Sequence, residues 1–233
     1  MDLTYAFDKH TVYWPNNASF QREDTAHGMN AQGKWYASGQ FSASEHGGTH
    51  IDAPNHFASS GMSVDAIPIT RLFGQAIVID IEEQCINNPD YTLTIADIQK
   101  WEEQFGRIER NTLVLLRTGW GKFWPEITRY LGSPTPDDPT TLHFPGFSGE
   151  AIKFLVYQRH IRGVGIDTAS IDAGQSRDFA AHRVLSEANR YALENVASLQ
   201  DIPPRGATVY ALPMKIKHGT GGPVRILAII PSR

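Results

Sequence analysis

The sequence contains little that is typical of secreted or membrane proteins. Its 233 residues include one cysteine, Cys85, so no disulfide can close within the chain. The first ten residues contain neither a basic nor an apolar segment, and no apolar run reaches the length of a transmembrane helix. We therefore expect no signal peptide, a reducing compartment and a cytoplasmic location. Cys85 has no histidine or second cysteine beside it, which favours a buried structural thiol over a nucleophile.

An excess of positive charge is also missing. The chain has 21 Lys and Arg residues against 25 Asp and Glu residues, for a formal net charge of −4. Nucleic-acid and membrane-surface proteins usually carry a basic patch, so neither kind of partner is expected. Internal repeats, low-complexity tracts and linkers are absent as well, and residues 1–233 are predicted to form a single domain. The proline-rich stretch 132–141 is predicted to be a surface loop within it.

Short, β-branched apolar runs predict buried strands. They occupy residues 76–81, 112–118, 163–167, 207–212 and 225–230. Helical signals fall between these runs, and the alternation favours an α/β fold. The first sixty residues are turn-rich and aromatic without a helical period, which indicates extra β structure.

Three helices are predicted between the strands. Thr94 is a candidate cap for a helix that Gly106 ends. Ser148 is a candidate cap for a second helix. Residues 179–191 predict a third helix, which contains His182.

The most informative stretch is 46–57, which reads His-Gly-Gly-Thr-His-Ile-Asp-Ala-Pro-Asn-His-Phe. Imidazole and carboxylate are the ligand types that suit zinc, manganese or iron. His50 and Asp52 are two residues apart, so on an extended backbone they face the same side. The two glycines after His46 allow the chain to fold back closely, and a proline fixes a turn before His56. This pattern predicts a metal site with a spare histidine beside it.

Further ligands are expected from elsewhere in the chain, because one cluster rarely completes a metal site. His182 is the best candidate among the other histidines, since it follows a buried strand that ends in polar residues at 167–172. Glu194 is an acidic residue in apolar company. Taken alone, the pattern favours interpretations without a metal: His182 as a helix surface residue and Glu194 as a salt-bridge partner.

The stretch 46–57 resembles the HxGTHxDxPxHF signature of the metal-dependent cyclase family, which includes bacterial kynurenine formamidases and isatin hydrolases. Every specified position of the signature is filled. The similarity extends over most of the chain. Further landmarks are Trp14–Pro15, residues 116–120, 143–147 and 165–170, His182 and Glu194.

The resemblance implies a two-metal hydrolase on an α/β fold with a central, partly barrel-like sheet flanked by helices. It implies that His46 and His50 bind one divalent ion, that His182 binds the second, and that Asp52 and Glu194 contact both. It leaves His56 off the metals as a general acid/base. Zinc is the first expectation for the ions, with manganese or iron as alternatives. Trp14 is similar to the family's aromatic substrate-contacting residue.

The reaction implied by the resemblance is hydrolysis of a C–N amide bond in a small aromatic substrate. Metal-activated water would attack, and a histidine with a pKa near neutrality would transfer the proton. An arylformamidase that converts N-formylkynurenine to kynurenine and formate is the first expectation. Alternatives are hydrolysis of an isatin-like cyclic amide or ester, and a non-catalytic metal-binding relative. A homodimer or homotetramer is expected.

The chain is longer than compact kynurenine formamidases, with extra residues at 20–40 and 121–145. Of these, residues 21–40 are expected to alter substrate specificity. Aromatic residues also crowd the N-terminal region, and Trp14 is the first candidate for an apolar wall beside a flat substrate.

Overall fold

Seven strands close into a barrel at the centre of the structure, a computed structural model that describes residues 1–231. Elements are numbered in chain order. Around the barrel the strands are β10 (Ala207–Pro213), β11 (Gly221–Ile229), β3 (His50–Asp52), β9 (Tyr191–Glu194), β8 (Gly163–Ile166), β6 (Leu113–Arg117) and β4 (Phe73–Asp80), which pairs with β10. Strands β4, β6, β8 and β9 are mutually parallel, whereas the other pairs are antiparallel. The expected α/β fold with a barrel-like sheet is confirmed.

Side chains alternate between the interior of the barrel and its outer surface. On β6, Leu113 and Leu115 belong to the inner core, and Val114 and Leu116 belong to the outer core beneath the helices. Both faces are therefore buried, which explains why these strands appear in the sequence as continuous apolar runs. All five predicted strands are present, and β11 begins four residues earlier than expected because Gly221 and Gly222 pair with β3.

Helices α1 (Glu82–Asn87), α2 (Ile95–Phe105), α4 (Gly149–Arg159) and α5 (Ala180–Glu187) cover the outer face of the parallel strands. Helix α3 (Ile127–Tyr130) packs in a separate apolar cluster with Trp120. Thr94 and Asp97 cap α2 reciprocally, and Gly106 ends it with φ of 86°. The side chain of Ser148 accepts a hydrogen bond from Ala151 N and caps α4. The predicted caps are therefore confirmed.

The third predicted helix is shorter than expected. It spans Ala180–Glu187 rather than residues 179–191, and β9 begins at Tyr191. Asn189 adopts a positive φ of 54°, which is incompatible with a continuing helix and turns the chain into the strand. As a result Glu194 lies on the barrel, whereas His182 lies on the helix packed against it.

Two small sheets lie outside the barrel. Strands β1 (Gln21–Met29) and β2 (Trp35–Ser42) form an antiparallel hairpin, and β5 (Thr92–Leu93) pairs with β7 (Gly146–Phe147). The hairpin confirms the β structure expected in the first sixty residues. Residues 132–141 contain no helix or strand, as predicted for a loop.

The expectation of a buried thiol at Cys85 is confirmed. Cys85 is buried in the outer core, and this burial raises the pKa of its thiol to about 12, as a structural thiol requires. Among the described residues, no helix combines the length and apolar character needed to cross a bilayer.

Leu115 offers a test of the barrel interior, because its side chain is fully buried in the inner core. We expect Leu115→Ala to lower the free energy of unfolding by about 2–5 kcal/mol, since it leaves a cavity in a closed barrel. Equilibrium urea unfolding measures the loss. The control is Leu227→Ala, where the leucine is 45% exposed on β11 and a change within about 0.5 kcal/mol is expected. Equal losses in the two variants would contradict this description of the core.

Candidate metal centre

The alternation along β3 and β9 places the candidate ligands on the outer surface of the barrel. Ile51 and Leu193 point into the inner core, so His50, Asp52 and Glu194 point outward. His50 pairs directly with Glu194 in the register of the two strands. The prediction that His50 and Asp52 share one side is therefore confirmed, and the barrel adds Glu194 beside them.

Two further histidines reach this surface from outside the strands. His182 lies on α5, which packs against the barrel, and its Nε2 is 3.0 Å from Oδ2 of Asp52. His46 lies in the loop before β3, and Gly48 allows the chain to turn back because it adopts a φ of 56°. The Nδ1 atom of His46 is 2.6 Å from Oδ1 of Asp52. Residues distant in sequence thus surround one carboxylate.

Glu194 contacts the same imidazoles as Asp52. Its Oε2 lies 3.4 Å from Nε2 of His50, and its Oε1 lies 3.1 Å from Nε2 of His182. The Nε2 atom of His50 is also 3.2 Å from Oδ1 of Asp52. Backbone N–H of Ile171 donates to Oε1 of Glu194 at 2.7 Å and holds this carboxylate in place.

The hydrogen bonds of His50 and His182 determine which nitrogen faces the centre. Nδ1 of His50 donates to the carbonyl of Gly48 at 2.9 Å, and Nδ1 of His182 donates to Asp172 at 2.7 Å. Each ring therefore directs Nε2 at the carboxylates. Nε2 of His50 is buried without a hydrogen-bond partner among residues 1–231. Convergent nitrogen and oxygen donors with an orphaned buried nitrogen fit a divalent cation.

Charge in the cluster is mutually dependent. Burial opposes ionisation of Asp52, but His46 and His50 hold the pKa of its carboxyl well below its usual range. Burial and the neighbouring Asp52 raise the pKa of Glu194. Burial also opposes protonation of His50, but Asp52 and Glu194 raise the pKa of this histidine to about 9. Two carboxylates confined at close range need positive charge between them, which favours cation binding.

His56 lies at the edge of the cluster. It ends the 3-10 helix Pro54–His56, so the predicted turn at Pro54 is confirmed. Its ring stacks on His46 with a centroid distance of 3.8 Å and an interplanar angle of 18°. It is exposed at the mouth of the pocket. One of its nitrogens lies within 4.8 Å of donor atoms of His46 and Asp52, close enough for a shared ion.

The pKa of His56 differs from the near-neutral value expected. Solvent reaches the ring at the pocket mouth, but the protein packed around it removes much of its hydration and lowers the pKa to about 4. Asp52 opposes this effect, and the imidazoles of His46, His182 and His50 add to it. The ring is therefore neutral at pH 7, with one nitrogen lone pair available to accept a proton.

An aromatic pocket of about 270 Å³ opens above the cluster. Trp14 lines it together with Phe57 and Phe179, and the Trp14 and Phe179 rings meet edge to face at 6.1 Å. This volume is near the lower end for small-molecule sites. None of residues 21–40 lines this pocket within its own chain. The expected effect of this segment on substrate specificity stays a prediction.

Asp172 is the main site residue that sequence reasoning missed. Its carboxylate accepts hydrogen bonds from Nδ1 and backbone N–H of His182 and from backbone N–H of Ala181. This one carboxylate therefore both orients the His182 ring and holds the first turn of α5. The sequence did contain a hint of this role, because Asp172 is the last residue of the polar stretch 167–172, on which the choice of His182 was based.

Comparison with known proteins agrees with the signature. The sequence model of the Cyclase family, described as "Putative cyclase", matches residues 1–173. An isatin hydrolase of Roseibium aggregatum is 34% identical over 209 residues, which covers 86% of this chain and 78% of that protein. A kynurenine formamidase of Salinibacter ruber is 28% identical over 231 residues, covering 97% of this chain and 94% of that protein.

A solved structure gives the same result. Isatin hydrolase A from Labrenzia aggregata, bound to benzyl benzoate, superposes with a TM-score of 0.90 at 36% identity, covering 99% of this chain and 93% of that one. The resemblance drawn from the sequence is confirmed. The chain belongs to the cyclase family of metal-dependent hydrolases.

Proposed function

We propose that the protein hydrolyses the C–N amide bond of a small aromatic substrate, with two divalent ions held by His46, His50, Asp52, His182 and Glu194. The observation that carries this proposal is the way each carboxylate divides its oxygens. Oδ1 of Asp52 faces His46 and His50, whereas Oδ2 faces His182. Glu194 likewise directs Oε2 to His50 and Oε1 to His182. Two bridging carboxylates between two groups of histidines suit two cations.

The donor set suits zinc first, with manganese or iron as alternatives. When bound, such an ion supplies Lewis acidity, which polarises an amide carbonyl and acidifies water near neutral pH. Elemental analysis of the purified protein tests the stoichiometry. Two ions per chain are expected, and one ion per chain would contradict the bridging roles of Asp52 and Glu194.

His56 is proposed as the general acid/base. Its ring lies at the pocket mouth beside Asp52 and His46, where a ring nitrogen takes a proton from water and delivers it to the leaving amine. Trp14, Phe57 and Phe179 are proposed to hold the flat face of the substrate and to exclude bulk water.

A cyclic amide of the isatin class is the substrate we favour. Relatives named isatin hydrolase are 31–36% identical, whereas those named kynurenine formamidase are 26–28% identical. N-formylkynurenine, the first expectation from the signature, remains the second candidate, because the formamidase relatives align over 92–97% of the chain.

Parallel assays separate the candidates. We expect metal-loaded protein to open isatin with a higher kcat/KM than it hydrolyses N-formylkynurenine. The reverse ratio would favour the formamidase function. Metal binding without turnover of any amide or ester in a broad panel would support the non-catalytic alternative and refute the proposal.

Asp172 supplies a prediction for the His182 side of the centre. Replacing it by Asn keeps the shape but removes the carboxylate that accepts from His182, so we expect metal affinity to fall about 10–100-fold. Competition with a chelator measures this affinity. Asp178→Asn, an exposed change in the same loop, is the matched control and should match the wild type. Equal affinities for Asp172→Asn and wild type would contradict the orienting role.

The homodimer or homotetramer implied by the family remains a prediction. The β1–β2 hairpin exposes Met29, Trp35, Tyr36 and Phe41, and such apolar exposure is typical of interaction surfaces. Light scattering during gel filtration would measure the mass in solution.

A further inference from the structure

His46 directs a different nitrogen at the centre from the other two histidines. Nδ1 of His46 faces Asp52 at 2.6 Å, whereas His50 and His182 face the carboxylates with Nε2. An imidazole can turn either nitrogen inward, so something outside the centre must select this orientation. The partner of the outer nitrogen identifies what does so.

That partner is Thr220, in the turn that leads into β11. Nε2 of His46 lies 2.8 Å from Oγ1 of Thr220. The same hydroxyl lies 2.6 Å from Oε2 of Glu45, and backbone N–H of Thr220 also donates to Oε2 at 2.9 Å. Glu45 and Thr220 are both half-buried.

The direction of these hydrogen bonds follows from the groups involved. The carboxylate of Glu45 can only accept hydrogen bonds, so the Thr220 hydroxyl donates its single proton to Glu45. The hydroxyl oxygen must then accept from His46, which places a proton on Nε2 of the imidazole. Nδ1 of neutral His46 is left with its lone pair directed at the centre beside Asp52.

Packing holds the ring in this orientation. His56 stacks on one face of the His46 ring. At the ring edge lies Gly221, where an added Cβ would stand 2.7 Å from Cε1 of His46 and 2.5 Å from the carbonyl oxygen of Ile51. Only glycine fits between backbone and imidazole at such distances, so the turn 220–221 supplies both a hydrogen-bond partner and room for the ring.

We propose that Glu45 and Thr220 are positioning residues that direct Nδ1 of His46 toward a divalent cation, an inference that rests on the proposed metal centre. Both residues lie outside the stretch 46–57. Thr220 also lies beyond the residues 1–173 that the family sequence model matches. Hydrogen-bonded partners of metal-bound histidines fix ring orientation and raise ligand basicity, and their loss typically weakens metal affinity about 10–100-fold.

Zinc and manganese affinities of three variants test this role. In Thr220→Val the hydroxyl is removed at similar shape, and we expect the affinity of one ion per chain to fall about 10–100-fold. Thr220→Ser keeps the hydroxyl and should stay within about threefold of wild type. Glu45→Ala leaves the Thr220 hydroxyl proton without its acceptor and should lower the affinity for the same ion. Chelator competition with the metal alone provides the readout, independent of any substrate.

Thr208→Val is the matched control, because Thr208 is also half-buried on the barrel but lies away from the centre. Its affinity should equal that of wild type. The thermal unfolding midpoint of metal-free Thr220→Val should equal that of metal-free Thr208→Val. A loss of metal affinity in Thr220→Val would then reflect the orientation of His46 and not a less stable fold. Wild-type affinity in Thr220→Val, or equal losses in Thr220→Val and Thr220→Ser, would overturn the positioning role. Failure to hydrolyse any amide would refute the proposed function and leave this measurement standing.

Discussion

Asp52→Asn is expected to abolish metal retention and hydrolysis together. Its two carboxylate oxygens contact His46, His50 and His182, so one neutral amide cannot replace them. The amide also presents an N–H₂ donor to imidazole lone pairs and lacks the negative charge that balances the cations. Loss of the metals removes several kcal/mol of transition-state stabilisation, which corresponds to at least ~10³-fold in kcat/KM.

Elemental analysis and steady-state kinetics measure both effects on the same preparation. Asp167→Asn is the matched control, since Asp167 is as buried as Asp52 but its carboxylate accepts from Thr118 and Gly119 outside the centre. The control should retain its metals. Full metal content in Asp52→Asn would refute the bridging role of this carboxylate.

His56→Ala is expected to separate metal binding from turnover. The side chain stacks on His46 at the pocket mouth, and the three other histidines already surround the two carboxylates. Removing a general acid/base typically costs about 10²–10⁴-fold in rate, so kcat should fall by that factor. Metal content should remain close to that of wild type.

Loss of metal in His56→Ala is the outcome that would contradict this prediction. It is a real test, because a nitrogen of His56 lies close enough to share an ion with His46 and Asp52. If His56→Ala lost one ion per chain, His56 would be a ligand and the proposed division of roles would fail. His27→Ala, an exposed change on the hairpin, controls for removal of an imidazole elsewhere. It should alter neither metal content nor kcat.

Local features of the site were predictable because they depend on neighbours in sequence. Alternation along a strand places His50 and Asp52 on one side, whatever the strand pairs with. Gly48 and Pro54 act on their own backbone, so the return of His46 and the turn before His56 follow from residue type. The caps of α2 and α4 are local in the same sense.

Long-range features were not predictable from spacing. Glu194 lies opposite His50 because β3 pairs with β9, and nothing near either residue specifies that register. The helix expected over 179–191 would have extended to Tyr191, three residues before Glu194. In the structure Asn189 turns the chain, and Tyr191 instead begins the strand that carries Glu194. Family resemblance identified Glu194 and His182, but it did not supply Asp172, which orients His182 through the fold.

The sequence by itself determined the chemistry of the metal-ligand donors, the alternation of strands and helices in an α/β fold, and the placement of His50 and Asp52 on the same face of a strand. Only the tertiary structure decided which nitrogen His46 and His182 direct inward. That choice depends on Thr220 and Asp172 as acceptors, whereas His50 is oriented by Gly48, two residues away in the chain. The physical reason is that closure of the barrel brings β11 and β9 to either side of β3, so groups distant in the chain become hydrogen-bond partners.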